Sequence, residues 1–352
     1  MQNWTELWNA GRLFKAAFDQ QRTAIKSVYG TADRVLSVPA GTPAEYTVSM
    51  DSIPDSFYAL RKNIFSTLFQ SVYHLMDCDP QHRLFYGKLI HLFRIWVTSA
   101  DNLLDDEDKV VIPIQMPGSS RVMRQVVSIM TADRIFQQLL AEGRETGALT
   151  AAQAQELSDR SLQILLPSAA QEASEEEGVT ERPDPEHVLN VIHRYKTGIL
   201  FNVAFLGPEV IEPHLDRKRA TALKEAMLQF GIGCQVLDDI RDLARDHIEQ
   251  RHNYLLSTLW KAQPGFFQPL EKTKCSDSVG FQTLENRELS VGDRLYLEVP
   301  QVAIPAAQLG FGMMRDGLTT LGEMGLGIRP KLAENLAASM FTVLDLQDLK
   351  YA

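Results

Sequence analysis

Cysteine is scarce in this chain. Its 352 residues hold three (Cys78, Cys234 and Cys275), an odd number and widely spaced. That excludes a disulfide-stapled scaffold or a cysteine zinc centre and points to a reducing, cytoplasmic setting. Long apolar runs are missing too: none approaches the roughly 20 residues that cross a bilayer. The opening segment MQNWTELWNAGRLFKAAFDQQR mixes charge with aromatics and lacks the unbroken apolar stretch of a secretion signal, so it reads as an amphipathic helix. A basic excess is absent. The 35 Lys and Arg against 45 Asp and Glu leave a net charge of −10, which argues against nucleic acid as a partner because phosphate backbones demand a basic footprint. The 21 glycines and 16 prolines follow no period, excluding collagenous repeats. What remains is 45% hydrophobic and 23% charged, the balance of a globular chain that can offset its conformational entropy.

The hydrophobic pattern is helical nearly throughout. Phe57, Leu60, Ile64, Leu68, Val72 and Leu75 recur at spacings of three and four, predicting a helix over 56–78. Residues 82–105 are apolar around much of their circumference (Leu84, Leu89, Leu92, Phe93, Trp96, Val97), as a central buried helix requires. Further helices are expected over 121–142, 151–171, 185–206, 216–246 and 331–349, with Asp184 as a cap before the third of these. Strand signals are confined to 264–304, which holds three prolines and an alternation at Leu295, Leu297 and Val299. This stretch reads as an irregular insertion with a short hairpin. No repeat or linker divides the chain, so a single all-α domain over 1–352 is expected. The acidic run EASEEEG at 172–178 reads as a solvated helix end.

Two carboxylate clusters stand out: Asp101-Asn-Leu-Leu-Asp105-Asp106-Glu107-Asp108 and Asp238-Asp239-Ile-Arg241-Asp242, followed by Asp246. In each, the outer aspartates lie four apart, on one helical face, where like charges repel. One such motif is ordinarily a solvated face. Two, each closing a strongly apolar helix, point to bound divalent cations, and carboxylate oxygens suit Mg²⁺ bridging to a diphosphate. A third element, His193-Arg-Tyr-Lys196-Thr-Gly198, sets a lysine before a glycine. It reads either as a snorkelling lysine or as a cation aimed at phosphate.

Together these elements resemble the class I isoprenoid synthase superfamily, the all-trans polyprenyl diphosphate synthases and the terpene synthases like them. The likeness lies in Asp101 to Asp105, Gln171, Lys196-Thr197-Gly198 and Gly231-Ile-Gly-Cys-Gln235-Val-Leu-Asp238-Asp239-Ile-Arg-Asp242, in order over about residues 55–260. The resemblance implies a large helical bundle around an apolar cavity, an allylic isoprenoid diphosphate as substrate, and three Mg²⁺ ions, with Mn²⁺ able to substitute. It assigns Asp101, Asp105, Asp238 and Asp242 as metal ligands and catalytic residues. It assigns Lys196, Gln235, Arg61, Lys62 and Arg251 to the diphosphates, and it allows a homodimer.

Departures bear on the reaction. Asn102 stands where the family has a second aspartate, so a register through Asp105 and Asp106 is open. Elongating members carry Arg-Arg-Gly after the first motif and Gly-Lys-x-x-Arg-Pro before it. Here only Arg121 and Arg124 follow, and Arg61-Lys62-Asn63 lacks the glycine and proline. With the second diphosphate site eroded, cyclisation or elimination by a terpene synthase is the first expectation. A trans-prenyltransferase is the second, elongating or head-to-head, and a non-catalytic partner subunit the third. Cys234, His74 and His91 read as packing residues, and Phe65, Phe69, Phe93 and Trp96 as core.

Overall fold

The computed structural model describes residues 11–105, 107–262, 282–284, 287–290 and 292–349. They group into two compact units, one built from the described residues up to Leu162 with Val203–Ala220, the other from Gln163–Asn202 with the described residues from Thr221 on. Helix dominates both.

In the first unit, α1 (Arg12–Val35) buries Phe14, Phe18, Ile25, Val28 and Tyr29 at helical spacing. The expected helix over 56–78 begins only at Ile64, as α2 (Ile64–Leu75). Residues 55–62 form two 3₁₀ turns instead. The cause is Asn63, whose amide donates to the carbonyls of Phe57 at 2.7 Å and Ala59 at 2.9 Å, taking acceptors that a continuous helix would use. Next, α3 (Pro80–Leu104) starts where Asp79 Oδ1 accepts from the Gln81 amide at 2.8 Å, with Pro80 in the first turn. It is the central helix the sequence predicts, packed against α1, α2 and α4 (Arg121–Glu145). α5 (Ala151–Gln163) follows. Beyond it, Gly207 in the short helix Leu206–Ile211 lies against the Tyr86 ring, where a Cβ would come within 2.5 Å. A two-residue ladder joins β1 (Ser49–Met50) to β2 (Ile114–Gln115), antiparallel, with Ser49 opposite Gln115.

His91 lies in this core, 1% exposed, with neither ring nitrogen hydrogen-bonded. Its ring meets Tyr29 edge-on at 5.1 Å. Burial, and then the Arg94 charge, hold its pKa well below the usual imidazole value. The unfolded chain therefore binds a proton there that the folded chain refuses. Stability from this residue is complete above the unfolded pKa near 6.5 and falls as the pH drops below it. On passing from pH 7.5 to pH 5 in urea titrations, His91→Leu should lose less stability than the parent chain, by up to about 2 kcal/mol.

In the second unit, α6 (Leu166–Ala173) leads to a segment expected as one helix over 185–206. It is broken: a turn at Pro185–His187 capped by Asp184, a π turn over Val188–Ile192, a turn at His193–Lys196 and a 3₁₀ stretch over Gly198–Phe205. Gly198 permits this path, because a Cβ there would press on Ile232 at 3.1 Å and Leu228 at 3.2 Å. The helix expected over 216–246 is also interrupted. α7 (Arg217–Arg241) stops, Asp242 adopts φ −92° and ψ 13°, and α8 (Leu243–Ile248) resumes. α9 (Tyr254–Ala262) follows.

Most of the 264–304 insertion lies outside the described residues. Its hairpin is there as β3 (Gln282–Leu284) antiparallel to β4 (Arg287–Leu289). The alternation after it is no strand. Leu295–Leu297 is a 3₁₀ turn that buries Leu295 and Val299 while Leu297 points out, and Pro300 already opens α10 (Pro300–Leu321). α11 (Pro330–Val343) completes the unit. α7 and α10 touch backbone to backbone. A Cβ on Gly233 would stand 2.7 Å from the Gly310 carbonyl oxygen, and one on Gly317 2.6 Å from that of Ala226. Gly231, close to the centre of this contact, instead makes room for the Phe201 ring.

Candidate functional site

The first acidic cluster closes α3. Asp101, Asp105 and Glu107 offer carboxylate oxygens that all lie within 4.8 Å of one another. Asp101 and Asp105 are brought together as their spacing predicts; Asp106 lies outside the described residues. Glu107 joins them because the chain folds back after Leu104. Asn102, buried, drives that return: its Nδ2 donates to the Lys109 carbonyl and its Oδ1 accepts from the Lys109 amide, both at 3.0 Å. The asparagine that departs from the family pattern is thus a clamp on the acidic loop. Burial pushes the Asp101 carboxyl above its ordinary range, Lys109 pulls it back, and Asp105 and Glu107 push it up again. Lys109 Nζ stands 3.4 Å from Asp101 Oδ2 and also pairs with Glu107. Asp108 is turned away, held by Arg124 at 2.8 Å and Gln125 at 3.2 Å.

The second cluster closes α7. Its outer aspartates, Asp238 and Asp242, share one guanidinium. Arg241 Nη2 lies 2.7 Å from Asp238 Oδ1 and 2.6 Å from Asp242 Oδ2, and Nε lies 2.7 Å from Asp242 Oδ1. The middle aspartate has another task. Asp239 is 1% exposed, accepts from Gln235 Nε2 at 3.0 Å and the Tyr254 amide at 2.6 Å, and lies 2.8 Å from His193 Nε2. Its own carbonyl accepts from Asn253 Nδ2 at 2.7 Å. This hub seats the His193–Lys196 turn and the start of α9 on α7, and the Thr197 hydroxyl donates to Gln235 Oε1. Gln235 therefore belongs first to the hub.

Lys196 is held in a carboxylate socket, 3.3 Å from Glu175 Oε2 and 3.5 Å from Glu172 Oε2. Burial works against its charge, yet these two acids keep its pKa above the ordinary lysine value. Glu175 corrects the reading of 172–178 as a solvated end. Its side chain is fully buried and also accepts from the His252 amide at 3.0 Å and from Gln171 Nε2 at 3.0 Å. Asp246 is partly buried, and desolvation and then Asp239 push its carboxyl well up. Arg251 lies 3.7 Å from Glu249, and its carbonyl accepts from Arg182.

Arg61 and Lys62 are exposed on their 3₁₀ turn, Lys62 Nζ 4.5 Å above the Phe57 ring. Beside them Arg94, which the sequence gave no reason to single out, donates to Asn63 Oδ1 at 2.7 Å. Burial lowers its pKa, and no described carboxylate pairs with it.

The first cluster presents oxygen donors only, close enough together to suit a hard divalent cation such as Mg²⁺. In the second, a single cationic nitrogen already sits between two carboxylate oxygens. Sequence reasoning missed Glu107, Glu175, His193 and Arg241. Arg241 was legible as the fourth position of its motif; the pairing of Glu175 with Lys196 was not.

No helix among the described residues is long and apolar enough to cross a membrane. No family model and no curated protein matches the sequence. Solved structures do. A decaprenyl diphosphate synthase from Rhodobacter capsulatus superposes with a TM-score of 0.58 at 12% identity, over 95% of this chain and 99% of that one. A geranylgeranyl pyrophosphate synthetase from the archaeon Geoglobus acetivorans gives 0.55 at 12% identity, over 95% and 99%. A heptaprenyl diphosphate synthase from Staphylococcus aureus gives 0.55 at 13% identity, over 92% and 98%. The chain thus shares the all-α fold of these prenyl diphosphate synthases, the fold that the resemblance implies.

Proposed function

We propose that this chain is an Mg²⁺-dependent enzyme that detaches diphosphate from an allylic isoprenoid diphosphate, and that it does so as a trans-prenyltransferase. The observation that carries the reading is the pair of oxygen-only clusters at the ends of α3 and α7 on a fold shared with prenyl diphosphate synthases. Asp101 and Asp105, with Glu107, hold metal at the first cluster, and Asp238 with Asp242 at the second. Bound Mg²⁺ supplies Lewis acidity to the leaving diphosphate and offsets the charge it develops. Lys196 adds a fixed cation, and Glu175 and Glu172 keep it charged.

Two residue sets bear on the fate of the allylic cation. The sequence favours cyclisation because Arg-Arg-Gly is missing, and Arg124 is indeed occupied by Asp108. Against that, Arg94 is a partly buried cation bonded to a neutral amide, on α3 beside the turn that carries Arg61 and Lys62. These three cations offer a second diphosphate a place. The superposed structures are prenyl diphosphate synthases, which weighs the same way.

Incubation with Mg²⁺ and each allylic diphosphate, with and without isopentenyl diphosphate, decides the matter. A longer diphosphate appearing only when both are present is the expected product. A hydrocarbon or alcohol from the allylic substrate alone would replace prenyl transfer by cyclisation. No turnover in any mixture would leave the partner-subunit reading.

A further inference from the structure

We propose that Arg241 is the built-in counterion of the Asp238–Asp242 pair, a positioning residue that holds both carboxylates ready and must be displaced before a divalent cation takes them. This rests on the reading of Asp238 and Asp242 as metal ligands. The geometry is that of a placeholder. One nitrogen, Nη2, touches an oxygen of each aspartate, at 2.7 and 2.6 Å, and Nε closes a two-point fork on Asp242 at 2.7 Å. Two aspartates four apart repel, and here the repulsion is cancelled from within the motif by a residue that lies between them in the chain. Guanidinium does not lose its proton in the ordinary pH range, so it can leave only by moving, not by titrating.

It has room to move. The Arg241 side chain is 29% exposed, and its helix ends at this residue. By contrast Asp239 cannot give way, being held by two donors and packed against the buried His193 ring, so the competition falls on the outer two aspartates alone. Lys109 stands in the same relation to Asp101 and Glu107, more loosely, at 3.4 Å from the former.

The experiment is a titration of the metal-free full chain with Mn²⁺, without substrate, in the Asp101→Asn background to quiet the first cluster. Loss of the free-ion electron paramagnetic resonance signal reports binding, and circular dichroism confirms the fold. Arg241→Gln should bind Mn²⁺ about tenfold more tightly, because one competing charge next to the ion is gone. Arg241→Lys should fall between the two, since a single ammonium cannot reproduce the fork. Asp238→Asn should weaken binding. If Arg241→Gln binds no more tightly while Asp238→Asn weakens binding, the counterion role is overturned and the metal reading stands. If Asp238→Asn and Asp242→Asn both bind as the parent does, the ligand assignment falls and the counterion role falls with it.

Discussion

Asp101→Asn and Asp238→Asn should each lower diphosphate release by roughly a thousandfold, the effect of losing several kcal/mol of metal-borne stabilisation at about 1.4 kcal/mol per factor of ten. Both residues are the partly exposed outer members of their clusters, and each variant keeps nearly the same shape while removing one charge. The loss should therefore appear in turnover while the helical spectrum stays unchanged. Raising Mg²⁺ should recover only part of it. Steady-state release of inorganic diphosphate measures the effect. A change of less than about tenfold in either variant would remove that residue from the metal site, since a true ligand contributes more than a single exposed ion pair.

Asp239→Ala should do the opposite, costing fold before function. Its carboxylate is the shared acceptor for Gln235 and the Tyr254 amide and the close neighbour of the buried His193 ring. Truncation strands two donors and leaves the buried His193 ring without its carboxylate neighbour, and removing one partner of a buried charged network costs about 3–5 kcal/mol. Asp238→Ala, one position earlier, meets solvent and Arg241 and should cost about 1 kcal/mol or less. Urea unfolding of the two variants side by side gives the contrast. Equal losses would show that the hub does not hold the His193–Lys196 turn to α7.

That contrast marks how far the sequence could be read. Spacing alone showed that Asp238 and Asp242 share a face, because helical period is local. It could not say that Asp239 turns inward, since the direction is set by His193 and Tyr254, far away in the chain. The same holds for Glu175, which composition places in a solvated acidic run and which Lys196 draws into the interior. The helices over 82–105 and 121–142 were legible because their apolar stripes lie within the segment. The breaks at Asn63, at Gly198 and at Asp242 were not: Asn63 turns its amide to backbone carbonyls, Gly198 lets the chain pass close to Ile232 and Leu228, and Asp242 pairs with Arg241 where α7 stops.

The glycine contact between α7 and α10 has a mechanical meaning. Helices that meet through side chains can slide by small rotamer changes, and that shear is a common way for enzymes to close. At Gly233 and Gly310 there is no such padding; the two backbones bear directly on one another. α7 is therefore anchored against translation and rotation just before it delivers Asp238. The compliance lies downstream, at the break at Asp242 and in the exposed arm of Arg241. Adjustment to a ligand should then be a local swing about a fixed post, and the aspartate at the end of α7 serves as the post.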